Sequence, residues 1–139
     1  MSDEGGARNM GMSQTVTFSQ GKPPAWPAVR DLLVGRGYPV QMRMIDGELA
    51  FPDEEPPETW RELRVASSQG MVTLRREPDR IEVVTWGNAE GPLLQAWNAL
   101  VWAFAEAGGG QVASEQGFLN AAAFARKADL PQVLQARLS

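Results

Sequence analysis

Short stretches in which hydrophobic and polar residues alternate recur along this chain, and such alternation is typical of strands with one buried face. In TVTFSQ, Val16 and Phe18 alternate with polar residues, which predicts a strand over residues 15–20. From about Ala25 the apolar residues recur at helical spacing instead. They are Trp26, Val29, Leu32 and Leu33. Gly35 then supplies a stop signal, so the sequence predicts a short amphipathic helix.

An Asp-Gly pair separates two further alternating runs, and this pair is the strongest short-range signal for a two-residue hairpin turn of type I′. A regular hairpin around the turn places Met44 opposite Leu49. It also places Met42 opposite Phe51 on the same side of the sheet. The sequence therefore predicts that these four apolar side chains share one face.

Three more alternating runs, RELRVASS, MVTLRREP and RIEVVTWG, are separated by residues 69–70 and 78–79, which fit two-residue turns. They predict a three-stranded antiparallel meander in which Val65 lies opposite Leu74 and Leu74 opposite Val83. The inward face then carries Leu63, Val65, Val72, Leu74, Ile81 and Val83. The outward face carries Arg64, Ala66, Met71, Thr73, Arg75, Glu82, Val84 and Trp86.

A long helix is predicted over residues 92–107, because it has Pro92 in its first turn and a run of three glycines after its end. Its apolar stripe consists of Leu93, Trp97, Leu100, Val101 and Phe104. Ser114 is predicted to cap a further helix over residues 115–127. A last short amphipathic turn follows Pro131, with apolar residues Val133, Leu134 and Leu138.

These elements predict an α+β fold in the order β-α-β-β-β-β-β-α. We expect a single curved antiparallel sheet packed on one long helix, with a C-terminal helical extension. Residues 1–13 are rich in Gly, Ser and Met without periodicity and are predicted to be a disordered tail. Residues 14–139 then form a single domain.

The formal net charge of −4 is localised, because residues 53–62 hold five carboxylates against Arg61 alone. The acidic balance argues against bulk nucleic-acid or anionic-membrane binding. The N-terminus has no basic and apolar signal segment, and the longest apolar stretch, residues 99–105, is too short to span a bilayer. We therefore expect a cytoplasmic protein without a membrane segment.

The chain contains no histidine and no cysteine, which removes the commonest metal ligand, the side chain that titrates near neutrality, and thiolate nucleophiles. The sequence has no glycine-rich phosphate loop and no nucleophile elbow. Its carboxylates fall on turns, loops or outward positions, where they do not converge as an acid-base pair must. The sequence thus predicts a non-enzymatic protein that uses no cofactor and no metal ion.

Two features are candidate contacts for a protein partner. The first is the acidic proline-rich stretch, which is either a solvated connection with its tryptophan plugging the sheet edge or a docking element for a basic partner. Its residues are Asp53, Glu54, Glu55, Glu58 and Trp60. The second is Trp102, which lies on the polar side of the long helix. It is either covered by the C-terminal segment or exposed as a partner contact.

Two further surfaces are weaker candidates. On the outward sheet face Arg64 is predicted opposite Arg75, with Arg43 as a further member. This face is either solvated, with Glu82 offsetting Arg75, or a platform for an anion or single-stranded nucleic acid. An apolar pocket between sheet and helix is the other candidate, unless the core fills it. Its lining would be Met42, Met44, Phe51, Trp97 and Phe104.

The leading hypothesis is a non-enzymatic adaptor domain that binds another protein through the acidic loop and an aromatic surface. The alternatives are a small-molecule carrier with a pocket between sheet and helix, and weak anion or single-stranded nucleic-acid binding on the arginine-bearing face.

Overall fold

The structure is a computed structural model, and it describes residues 12–19, 21–86, 90–115 and 117–138. Within these residues, one open antiparallel sheet of eight strands packs against helices. The strands are β1 (Met12–Thr17), β2 (Gln41–Ile45), β3 (Glu48–Leu49), β4 (Glu62–Ser67), β5 (Gly70–Glu77), β6 (Arg80–Thr85), β7 (Gln111–Ser114) and β8 (Gly117–Asn120). The helices are α1 (Trp26–Gly35), α2 (Pro92–Gly108), α3 (Ala121–Lys127) and α4 (Gln132–Leu138).

The strands follow the order β3-β2-β4-β5-β6-β1-β7-β8 across the sheet. Helix α2 lies against β5, β6 and β1, while α1 and α3 contact α2. The predicted α+β class, with a single antiparallel sheet against a long helix, is confirmed. The sheet has two more strands than predicted, because β7 and β8 extend it beyond β1.

Helix α2 is the centre of the core. Every side chain from residue 99 to residue 105 is buried, so this half of the helix has no solvent-facing side. A helix buried all round needs neighbours all round, and the sheet, α1 and α3 supply them. The helix ends at Gly108 with Gly109 in the left-handed conformation (φ 64°), as the glycine run predicts.

Strand β1 starts and ends three residues earlier than predicted. Val16 and Phe18 are nevertheless buried, as the alternation predicts. Of the predicted tail, residues 12–13 belong to β1, while residues 1–11 lie outside the described residues, as does Gln20. The predicted first helix is confirmed as α1.

The β2–β3 hairpin has the predicted type I′ turn, with φ angles of 51° and 88° at its Asp-Gly pair. Met44 pairs with Leu49 as predicted. The backbone N–H of Met42, however, donates to the carbonyl of Pro52 at 2.9 Å. The predicted pair of Met42 with Phe51 therefore does not form.

A β-bulge at Arg43 explains the loss of that pair. Along the contact between β2 and β4, Met42 pairs with Val65 and Met44 pairs with Arg64, so Arg43 is the extra residue. Because side chains alternate along a strand, one extra residue moves Met44 to the outward face while Met42 stays inward.

The prediction that the four apolar residues of the hairpin share one inward face is therefore wrong. Met42 is 1% exposed, whereas Leu49 is 87% exposed and Phe51 is 74% exposed. Leu49 lies outward because its partner Met44 does. Alternation alone does not reveal the bulge that divides the set.

Strands β4, β5 and β6 form the predicted meander, and Leu74 pairs with Val83 as predicted. The β4–β5 turn lies one residue earlier than predicted, at residues 68–69, so Val65 pairs with Val72 and not with Leu74. This is a shift of two residues, which leaves every side chain on its predicted face. The inward set is buried throughout: Leu63, Val65, Val72, Leu74, Ile81 and Val83.

The helix predicted over residues 115–127 forms over Ala121–Lys127 and ends where predicted, but its predicted start after Ser114 is wrong, because β7 and β8 form a hairpin there. The Ser114 hydroxyl donates to the carbonyl of Gly117 at 2.8 Å across the turn. Strand β7 pairs with β1, and Val112 is buried opposite Val16. This stretch therefore extends the sheet and its core instead of forming a helix.

Helix α3 starts at residue 121, and Asn120 caps it by accepting a hydrogen bond from the backbone N–H of Ala123 at 2.8 Å. The predicted last amphipathic turn is confirmed as α4, with Leu134 buried. The side chain of Leu138 lies outside the described residues. No helix in the described part of the chain combines the length and the apolar character needed to cross a membrane.

Replacement of Met42 by Ala should lower the free energy of unfolding by about 2–5 kcal/mol, because it opens a cavity in the core. Replacement of Phe51 by Ala should change it by less than about 0.5 kcal/mol, because Phe51 faces solvent. Urea unfolding of both variants measures the difference. Equal losses in the two variants would contradict the bulge.

The only tyrosine of the chain, Tyr38, should lose its proton at a higher pH in the folded protein than in the unfolded chain, which makes stability depend on pH. Its hydroxyl donates to Gln69 Oε1 at 2.9 Å and lies 2.8 Å from Ser67 Oγ, and burial raises the pKa of Tyr38 above its ordinary value of about 10. The unfolded chain then ionises first, so stability is full below about pH 10 and falls above it. Tyrosinate absorbance of the native protein gives the midpoint. Tyr38→Phe should remove this part of the pH dependence and lower the free energy of unfolding by about 1 kcal/mol. A native midpoint at or below pH 10 would show that burial does not raise the pKa of Tyr38.

Candidate functional site

A cleft of about 620 Å³ lies between two proline-rich loops, the one that precedes α1 and the one that joins β3 to β4. Six prolines line it: Pro23, Pro24, Pro27, Pro56, Pro57 and Pro78. Proline fixes its own φ angle and has no side-chain rotamers to lose. The walls of the cleft are therefore stiff, and a ligand would not need to order them.

The core holds the first loop in place. Trp26, at the start of α1, is buried, and its ring centroid lies 6.4 Å from that of Phe104 on α2. Pro24 rests on the end of α2, where a Cβ on Gly108 would lie 2.7 Å from Pro24 Cδ. Because Gly108 has no side chain, Pro24 in the cleft wall can approach the end of the helix closely.

The second loop ends at Trp60, which is buried and bound to Arg76 of β5. The Nε of Arg76 donates to the backbone carbonyl of Trp60 at 2.7 Å. The guanidinium carbon also lies 5.0 Å from the centroid of the Trp60 ring, a cation–π distance. We call these two residues the Trp60–Arg76 pair.

Arg76 lies on the inward side of β5, because it follows Val72 and Leu74 at two-residue spacing. Its side chain lines the cleft at the end of the sheet and is half-buried. Among the residues that the structure describes, Arg76 forms no ion pair. Arg76 was not predicted as a site residue, although alternation counted from Val72 marks it as an inward-facing arginine.

The charges that line the first cleft balance, but they are not all paired. Lys22 and Arg76 line it together with Glu55 and Glu58. Glu55 pairs with Arg30 at 3.3 Å, outside the lining. Arg30 also binds Asp31 at 3.0 Å, and this hydrogen bond raises the pKa of Arg30. Within the lining, Glu58 is then the carboxylate with no ion pair among the described residues.

A second cleft of about 450 Å³ adjoins the first. The two share Glu58, Thr59, Trp60, Arg76 and Pro78. The Trp60–Arg76 pair therefore lies where the two clefts meet.

No protein-family model, curated protein or solved structure matches this chain. The function of the cleft is therefore inferred from its own residues.

The structure divides the predicted acidic contact surface. Asp53, Glu54, Glu55 and Glu58 are exposed, and Glu54 Oε1 accepts the backbone N–H of Phe51 at 2.9 Å. Trp60 is only 3% exposed, so it is a buried wall of the cleft and not an exposed contact. Within the described ranges, no three carboxylates come together as ligands for a metal ion.

Trp102 is fully buried, and a role as an exposed partner contact is therefore wrong. The guanidinium of Arg36, at the C-terminal end of α1, lies 5.2 Å from its ring centroid. The predicted cover by the C-terminal segment is found on the polar side of α2, where Gln95 Nε2 donates to Asp129 Oδ1 at 2.9 Å and Asn98 Nδ2 donates to the carbonyl of Asp129 at 3.0 Å. Helix α1 also packs against α2.

The outward arginines are paired differently from the prediction. Arg64 lies opposite Thr73, and not opposite Arg75 as predicted. Arg75 lies between Glu62 and Glu82, and its position opposite Glu82 was predicted. Both arginines approach Glu62, at 3.9 Å and 3.3 Å, and Arg75 also lies over the ring of Trp86 at 5.5 Å. The third candidate, Arg43, is the exposed bulge residue of β2. Carboxylates thus offset much of the positive charge on this face.

The five residues proposed to line a pocket between sheet and helix do not meet in one place. Met42 and Phe104 are buried in the core, and Trp97 is half-buried with its Nε1 donating to the carbonyl of Val83 at 2.8 Å. Met44 lies on the outward face because of the bulge, and Phe51 is exposed.

The double replacement Glu54→Lys with Glu55→Lys should lower the free energy of unfolding by less than about 1 kcal/mol. Both side chains are exposed, so the lost ion pair and the lost hydrogen bond are screened by water. Thermal unfolding at moderate salt measures the change. A loss of several kcal/mol would contradict the view that these carboxylates are solvated.

Proposed function

We propose that this protein is a binding module that holds an extended segment of a partner protein in the cleft between its two proline-rich loops. The observation that carries the proposal is the pair of adjoining clefts that share the Trp60–Arg76 pair, the first of them lined by six prolines. Its volume lies within the range of about 300–1,000 Å³ that is common for ligand clefts.

The nature of the walls favours an extended chain as the occupant. Grooves that receive extended segments offer flat apolar surfaces with few polar groups that fix orientation. Here the prolines supply apolar surface, while Lys22, Arg76 and Glu58 supply the polar groups. A cleft with charged groups at several places in its lining suits a peptide better than a compact apolar molecule.

The position of the cleft distinguishes this proposal from a small-molecule carrier. A carrier would need an apolar cavity between sheet and helix, where the described core is filled by buried side chains such as Met42, Leu100 and Phe104. The cleft of several hundred cubic ångströms lies between surface loops instead. This placement supports a binding module for another macromolecule, which is the leading hypothesis from the sequence with a different contact surface.

Selection from a phage-displayed library of random peptides, with the full chain as bait, tests the proposal. The affinity of an enriched peptide is then measured by calorimetry for the wild type and for Ala25→Phe, in which a phenyl ring fills the cleft. Ala25 is exposed and lines the cleft. We expect Ala25→Phe to weaken binding by at least about tenfold, because the ring takes the place of the ligand.

The matched control is Ala28→Phe, on an exposed position of α1 that does not line the cleft. It should bind the peptide within about twofold of the wild type. Circular dichroism establishes that both variants are folded. The proposal is wrong if no peptide is enriched, or if both variants bind the enriched peptide as the wild type does.

A further inference from the structure

We infer that Arg76 receives a carboxylate of the bound segment, so that the cleft selects acidic extended peptides. This inference rests on the proposed function and names the chemistry of the partner. The observation behind it is an inward-facing arginine, fixed against Trp60 at the junction of two clefts and without a carboxylate partner among the described residues.

An arginine on the inward side of a strand normally has an acidic partner, because removing an unpaired charge from water is costly. Two neighbouring arginines have such partners, since Arg30 pairs with Glu55 and Arg75 pairs with Glu62. Arg76 instead contacts a neutral carbonyl and an aromatic face. Its positive charge therefore has no ion-pair partner among the described residues.

The contacts of Arg76 use one part of the guanidinium and leave the rest for a ligand. Nε donates to the carbonyl of Trp60, while the two terminal nitrogens make no hydrogen bond to a described residue. A guanidinium presents its N–H donors in a planar fork that matches the two oxygens of a carboxylate. Because strand pairing and Trp60 already hold the side chain, little conformational entropy is lost when the fork is occupied.

The charges around Arg76 favour an anion with a single negative charge. Lys22 adds a second positive charge to the first cleft, and Glu58 adds a negative one that both clefts share. Glu55 is engaged by Arg30, which Asp31 also binds. The lining charges of the first cleft therefore balance, and Arg76 differs in having no ion-pair partner among the described residues. A carboxylate brings one negative charge to Arg76, whereas a phosphate with a charge of about −2 would be repelled more strongly by Glu58. The committed ligand is therefore a carboxylate of a peptide.

The test compares an enriched peptide with a copy in which every carboxylate is replaced, by Glu→Gln, Asp→Asn and a C-terminal amide. Wild-type protein should bind the neutral copy about tenfold or more weakly, because a charge-assisted bidentate contact is lost. In Arg76→Gln the affinities of the two peptides should differ by less than about twofold, because this variant already lacks the contact between Arg76 and the carboxylate. Arg76→Lys should lie between, since it keeps the charge without the fork.

Arg61→Gln is the matched control, because Arg61 is exposed and lines only the second cleft. It should retain the preference for the acidic peptide. The inference is overturned if peptides bind but the neutral copy binds wild type equally well, an outcome that leaves the proposed function standing. It is also overturned if Arg61→Gln loses the preference as completely as Arg76→Gln does.

A measurement without any peptide separates the two proposals further. The Nε–Hε resonance of Arg76 in 15N-labelled protein, assigned by its absence from Arg76→Lys, is followed during addition of sodium acetate at constant ionic strength. We expect a saturable shift with acetate and a smaller one with inorganic phosphate. No shift with acetate, or a larger one with phosphate, counts against a carboxylate site whether or not a peptide is enriched.

Discussion

The burial of α2 on every side is the constraint on which the rest of the structure depends. Residues 99–105 have no solvent-facing member, so the sheet must lie on one side and α1 and α3 on the others. Apolar burial of this extent is the main favourable term in folding a domain of this size. It also decides where polar groups can lie, because side chains such as Arg36 can reach the helix only from its margin.

The candidate site inherits its geometry from that packing. Trp26 contacts Phe104 and Pro24 rests on Gly108, so the first proline loop follows the end of α2. The second loop is joined to the sheet through Trp60 and Arg76. Two loops without regular structure are thus held at fixed positions by the core and by one strand end. A loop anchored in this way can present a binding surface that exists before its ligand arrives.

Alternation and helical spacing predicted most of the elements because they report which side of each element is buried. The meander kept its faces despite the wrong turn position, since a shift of two residues preserves alternation. Alternation gave the wrong faces around Arg43, because a bulge adds one residue and one extra residue moves the following side chains to the opposite face of the sheet. The β7–β8 hairpin was missed because its four-residue strands hold too few apolar positions to outweigh a capping serine.

The site was predicted less well than the fold, for a physical reason. Its members come from loops far apart in the chain, and contacts such as that of Arg76 with Trp60 depend on tertiary packing. The acidic loop was correctly predicted to be a connection rich in charge, but the sequence did not show that its prolines line a cleft together with Glu55 and Glu58. The one sign in the sequence was the two-residue spacing that places Arg76 on the inward side of its strand, and it was not used.

The bulge at Arg43 has a consequence for how the molecule behaves among its own copies. It lies beside the edge strand β3, which is only two residues long and carries the exposed Leu49, with the exposed Phe51 close behind. An apolar edge would be a template on which another chain could add a strand, but a short and locally twisted edge offers few aligned backbone groups. The shortness of β3 therefore limits strand addition at the place where these two apolar side chains are exposed.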